Sequence, residues 1–141
     1  MKSEISKVDI ICEQIHSACD MHLSGNFVGS LTLGGSADSL SSELVESRGH
    51  ESMNAWHVKF IRFWNEKAGF SSPSRKIIHK ERNWARNSIK HHNKNDDEVM
   101  DIDLEFESFI VIKGAIENYQ RLGKGRTNEM NVFNERTKEY G

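Results

Sequence analysis

Ile5, Val8, Cys12, Ile15, Cys19 and His22 recur at spacings of 3, 4, 3, 4 and 3 residues. That period lays six side chains along one helix face and does not suit a strand, where side chains alternate every second residue. The same period returns further along the chain, and a single proline interrupts 141 residues. An all-α fold follows, because proline is the residue that most readily breaks such stripes. With 36% hydrophobic and 28% charged residues, the helices should be thin and amphipathic around one core.

The first helix should stop at Ser24-Gly25-Asn26, where Gly25 can take the left-handed cap conformation. A second segment, about 28–46, places Leu33, Ala37, Leu40 and Leu44 on one face. Its Gly34 and Gly35 cost about 1 kcal/mol each relative to alanine, so either another helix approaches closely or the helix bends there. The third segment, about 52–67, gathers Met53, Trp56, Phe60, Phe63 and Trp64 on one side. This aromatic cluster reads as core, with a base-stacking platform as the minor alternative. After "GFSSPS", with Ser72 or Ser74 as a cap, a fourth segment over about 74–90 points Ile77, Ile78, Trp84, Ala85 and Ile89 to the core. Glu81 falls on that same side and should have a partner. A loop follows at 92–97. A fifth helix over about 103–122 carries Phe109, Ile112, Ile116 and Tyr119, capped by Asp101 or Asp103 and stopped by Gly123. Residues 1–123 therefore predict an antiparallel bundle of four to five helices. Residues 124–141 predict a Gly-Lys-Gly-Arg linker and a short tail helix, too short to be stable alone and therefore mobile.

Several function classes are disfavoured. Cys12 and Cys19 are seven apart, about 10 Å along one helix face, too far for a disulfide. They read as small core residues of a reduced, cytosolic protein. No apolar run reaches the roughly 20 residues of a membrane span, so no membrane partner is expected, and the Met-Lys-Ser-Glu opening does not resemble a signal peptide. His16 and His22 are six apart, His50 and His57 seven apart. Neither matches the i, i+4 pair of a helical zinc site, so neither metal nor another cofactor is expected. "GKGR" at 123–126 is no phosphate cradle, and no Ser or Cys sits in a nucleophile motif.

The net charge of −2 hides a segregation. Residues 74–94 hold seven Lys or Arg and one acid, whereas residues 95–107 hold seven acids and no base. The opposed blocks either attract one another, with the acids also favouring the next helix's dipole, or form a basic surface for a polyanion gated by an acidic loop. Arg82, Arg86 and Lys90 are four apart and would form one ridge, unfavourable by a few tenths of a kcal/mol per pair unless a phosphate binds. Within "RNSIKHHNK", residues 86–94, Arg86 and His91 would lie about 140° apart on a continued helix. They converge only if the helix unwinds near Lys90, which the loop composition of "HHNKNDD" favours. His92 would fall on the core side as a packing residue. Arginine offers a planar fork of donors to phosphate oxygens, and histidine can move protons near neutral pH. Asn87 could orient either group, and Lys94 extends the basic surface.

The Arg86-Asn87-Ser88-Ile89-Lys90-His91 stretch, placed before the last core helix, resembles the signature of HEPN domains. "HLSGNFVGSLTLGGSADSL", 22–40, is similar to a helix–Gly–helix segment of small bacterial proteins that also carry Arg-Asn-x-x-Lys-His and an acidic loop. HEPN domains are all-α, and many are metal-independent ribonucleases, including toxins of toxin–antitoxin and abortive-infection systems. The resemblance implies a homodimer with Arg86 on the scissile phosphate, His91 in proton transfer and Asn87 in support. It implies RNA as substrate and, in a toxin, a cognate antitoxin or other protein partner. Many HEPN domains are not nucleases and serve as dimerisation or ligand-binding bundles, which is the alternative expectation.

Overall fold

The computed structural model describes residues 1–140. Seven α-helices occur among them: α1 (Lys7–Leu23), α2 (Phe27–Ser47), α3 (Met53–Lys67), α4 (Arg75–Arg82), α5 (Trp84–Ser88), α6 (Leu104–Arg121) and α7 (Asn128–Arg136). A 3-10 turn follows at Lys138–Tyr140. No strand occurs among the described residues, so the chain is an all-α bundle. The helix starts are written in the sequence as capping side chains. Ser6, Asn26, Ser52, Asp103 and Thr127 each accept from the backbone N–H three residues on, at 3.0–3.4 Å. Each satisfies an amide that the first helical turn leaves unpaired. Gly25, Gly49, Gly69 and Gly123, with φ near +80°, end α1, α2, α3 and α6. A side chain is strained in that conformation.

The core is built where α1, α2 and α6 pack side by side. Ile11, Ile15, Leu31, Ala37, Ile112 and Ala115 lose all solvent exposure. α2 runs unbroken through Gly34 and Gly35, so close approach, not a bend, explains the glycines. A Cβ on Gly34 would stand 2.9 Å from Val111 Cγ2 and 3.1 Å from Ile112 Cγ1, which brings the α2 backbone against α6. Buried Asn118 ties this pair to α3. Its Nδ2 donates to Ser41 Oγ and Ser42 Oγ at 3.1 and 2.9 Å, and its Oδ1 accepts from the Met53 N–H at 2.9 Å.

Several sequence expectations are corrected. The tail belongs to the bundle: Met130 and Phe133 of α7 are wholly buried in the common core. A helix unstable alone is held here by packing. The fourth segment is two helices, broken at Asn83, and it ends at Ser88. Ile77 and Trp84 are about half exposed, since the face that packs inward is that of Ile78 and Ala85, and Glu81 is exposed with no ion-pair partner among the described residues. His92 is exposed in the loop, not packed. The aromatics of α3 are not core: Trp56, Phe60, Phe63 and Trp64 are 43%, 43%, 52% and 57% exposed. Val58 is the one fully buried residue of that helix.

Candidate functional site

Asp38, in the middle of α2, is a carboxylate with no solvent exposure. An isolated charge in such a place is prohibitively costly, so it needs ionic partners with satisfied hydrogen bonds. Two arginines supply them. Arg82, the last residue of α4, reaches Asp38 through Nη1 at 2.8 Å and Nη2 at 3.4 Å, and Nη1 also donates to Asn54 Oδ1 on α3. Arg86 on α5 donates through Nη2 to the same Asp38 Oδ2, and through Nη1 to Ser39 Oγ at 2.8 Å and the Gly35 carbonyl at 3.1 Å. The two residues lie four apart, one helical turn, but the chain breaks at Asn83 between them. Both guanidinium groups still converge on one carboxylate. Glycines make the room. A Cβ on Gly114 of α6 would lie 2.8 Å from Asp38 Oδ1 and 3.1 Å from Arg82 Nη2, and one on Gly35 would lie 3.3 Å from Arg86 Cβ.

The expected ridge of Arg82, Arg86 and Lys90 is thus divided. Arg82 and Arg86 turn inward, with side chains 9% and 6% exposed, while Lys90 stays in solvent. Two cations on one anion leave an excess of positive charge at the α2–α5 junction. Arg86 Nε is buried without a hydrogen-bond partner, 3.6 Å from where a Gly35 Cβ would stand. A groove of about 540 Å3 opens at this wall, lined by Gly35, Ser36, Ser39, Arg86, Asn87 and Lys90 among others, with Glu43 the acid on its rim. On the α6 side, burial and Asp103 push the Glu107 carboxyl pKa up, against the pull of Arg86.

His91 lies elsewhere. α5 ends at Ser88, and the N–H groups of Lys90 and His91 both turn back to the Asn87 carbonyl at 3.2 and 2.9 Å. The backbone does uncoil near Lys90, yet this carries His91 away from Arg86. His91 is exposed and lines a second groove, of about 450 Å3, with Trp84, Ser88, His92 and the acidic loop around Asp96 and Asp101. Asn87 sits between the two: it lines the Arg86 groove and also a shallow depression that includes His91. Lys94 is exposed in the loop and lines none of these grooves. Within one chain, then, Arg86, Asn87 and Lys90 come together, Arg82 stands behind Arg86, and His91 and Lys94 stand apart. Asp38 and Ser39 were missed by sequence reading. The detectable signal was an acid amid the small apolar face of α2, which has to find a cation. Comparisons with family models, with curated proteins and with solved structures return no match.

Proposed function

We propose that this chain is a HEPN-like bundle, working as a homodimer, that holds the phosphate of a nucleotide or RNA in the Arg86 groove without cleaving it. One observation carries the reading: the Arg86 guanidinium is committed to Asp38, Ser39 and Gly35, at the wall of a groove that His91 does not enter. An arginine so anchored is a fixed positive wall, not a mobile contact for a changing phosphorane. Lys90 and Asn87, both exposed at the groove's mouth, supply the movable donors a phosphate needs, and the unbalanced charge of the Arg82–Asp38–Arg86 cluster adds attraction.

A second reading, a metal-independent endoribonuclease of toxin or defence type, draws on the exposure of His91 beyond the end of α5. In that reading, His91 of a second copy completes each groove. One experiment separates the two. Labelled single-stranded RNA and a free nucleotide are titrated with the protein in EDTA, by anisotropy and by gel. Binding that weakens about tenfold in Lys90→Ala, in line with the loss of one charge-assisted hydrogen bond, with RNA left intact, supports the first reading. Its affinity should also fall with salt. RNA cut by the wild type and spared by His91→Ala establishes the second. Absence of binding at low salt sinks both. Arg86→Ala is the poorer probe, since it removes part of the fold's own ion cluster.

A further inference from the structure

α3 packs on the rest of the molecule by one edge, toward α4 and α6, and turns an uninterrupted row of aromatic rings to solvent. Trp56, Phe60 and Trp64 are one turn apart in sequence, and Phe63 flanks them. The rings already touch: Trp56 stacks on Phe60 at 5.2 Å, Phe60 meets Trp64 edge-on at 6.2 Å, and Trp64 meets Phe63 at 5.5 Å. Each side chain offers roughly 150–250 Å2, so half-exposed rings leave on the order of 400 Å2 of contiguous apolar surface. On a lone molecule, a patch of this size that serves no core marks an interaction surface.

We infer that this row is the face through which two copies of the chain pair, α3 against α3 in antiparallel fashion about a two-fold axis near Phe60. The inference deepens the dimer of the proposed function by naming its surface, and for its stoichiometry it rests on that reading. The spacing is self-complementary. With Phe60 opposite Phe60 of the second copy, Trp56 meets Trp64 of the second copy and Phe63 meets His57. An isologous interface needs that reciprocity. Antiparallel helices also set opposite dipole ends side by side. A stable interface takes about 800 Å2 from each partner; the aromatic row supplies about half of that as the apolar centre, and the flanks would supply the rest as a polar rim. The charges point to a protein occupant, not to RNA. At about 100° per residue, Arg62 projects to the far side of α3 and Lys59 to its flank. Lys59 is occupied by Glu51, and Lys67 stands over Phe63 at 5.5 Å, at the end of the row. Among the described residues, Lys67 is thus the one cation on the row's face, held at its C-terminal end, and between Trp56 and Trp64 that face carries none.

Sedimentation equilibrium of the full chain tests this, beside Phe60→Glu and Trp64→Glu, with circular dichroism to verify folding. Both positions are solvent-facing, so the two variants should keep the wild-type helical signal. The expected result is a wild-type dimer whose dissociation constant rises at least 100-fold in each variant. A wild-type monomer at 100-fold the concentration used for RNA binding overturns both this inference and the dimer in the proposed function. A dimer that persists in both folded variants overturns the α3 face alone. A Trp84→Phe monomer, whose remaining Trp56 and Trp64 emission shifts on adding single-stranded RNA or anionic phospholipid vesicles and not with protein concentration, assigns the row to that occupant and equally overturns the pairing.

Discussion

Replacing Asp38 by alanine should be among the most damaging single changes in this protein. Asp38 is fully buried and bridges two guanidinium groups that are themselves 9% and 6% exposed. Its removal leaves Arg82 and Arg86, which now share one carboxylate oxygen, as adjacent like charges with little water to separate them. Breaking a buried ion pair by deleting one partner costs about 3–5 kcal/mol, and two stranded cations place this case at the upper end. Against a total stability of about 5–15 kcal/mol for a domain, that is a large share. Urea unfolding followed by circular dichroism at 222 nm reads it directly. With a slope of about 1–3 kcal/mol per molar urea, the midpoint should fall by about 2 M. Asp38→Asn, which keeps an acceptor oxygen and loses the charge, should fall between wild type and alanine. Adding Arg86→Met to Asp38→Ala should restore part of the loss, since one stranded cation is gone, and the double-mutant cycle isolates that coupling. A loss below about 1 kcal/mol in Asp38→Ala would refute the reasoning, because it would mean that both arginines find solvent or other partners at little cost.

Two further outcomes follow from the same packing. Gly114→Ala should destabilise by about 1–3 kcal/mol through overpacking, despite the roughly 1 kcal/mol that alanine gains in helix propensity. The new Cβ would lie 2.8 Å from the tethered Asp38 Oδ1, and a thermal melt gives the sign. Stability should also decline as pH falls below about 6.5, where unfolded histidines begin to take up protons. Burial holds the His22 imidazole pKa below its ordinary value, with Glu105 opposing; burial, Arg82 and His79 act alike on His57; and burial, Arg75 and Arg82 outweigh Glu46 at His79. The unfolded chain then binds more protons than the folded one, so stability is full above that pH and is lost as it drops. Urea midpoints at about pH 7.5 and 5.5 should show the decline, and His22→Gln should reduce it.

The sequence made the bundle legible because its signals are local. Ser52, Asp103, Gly25 and Gly123 mark helix ends by chemistry that depends only on the adjacent turn. The stripes of α1 and α6 need no knowledge of the partner helix. What stayed hidden depends on distant pairings. Asp38 and Arg86 are 48 residues apart, and no periodicity announces their meeting. A basic ridge and a buried ion cluster are the same pattern when written as sequence. The aromatic side of α3 reads as core in the sequence because hydrophobicity tells which face avoids water, but not whether this chain or another molecule covers it. Asn83 was equally silent. No Gly or Pro marks the break there, and the narrow inward face of α4 and α5, Ile78 and Ala85, leaves Ile77 and Trp84 half exposed. Phe133 shows the converse, since a polar tail with two well-placed apolar residues was enough to dock α7.

Asp38 is fixed in the buried layer where α2 meets α6, while Asn87 and Lys90 lie on and just beyond the short helix that its carboxylate grips. The groove is therefore cantilevered from a single charged bolt. Anything that changes charge at that bolt acts on the fold's stability and on the groove's shape together.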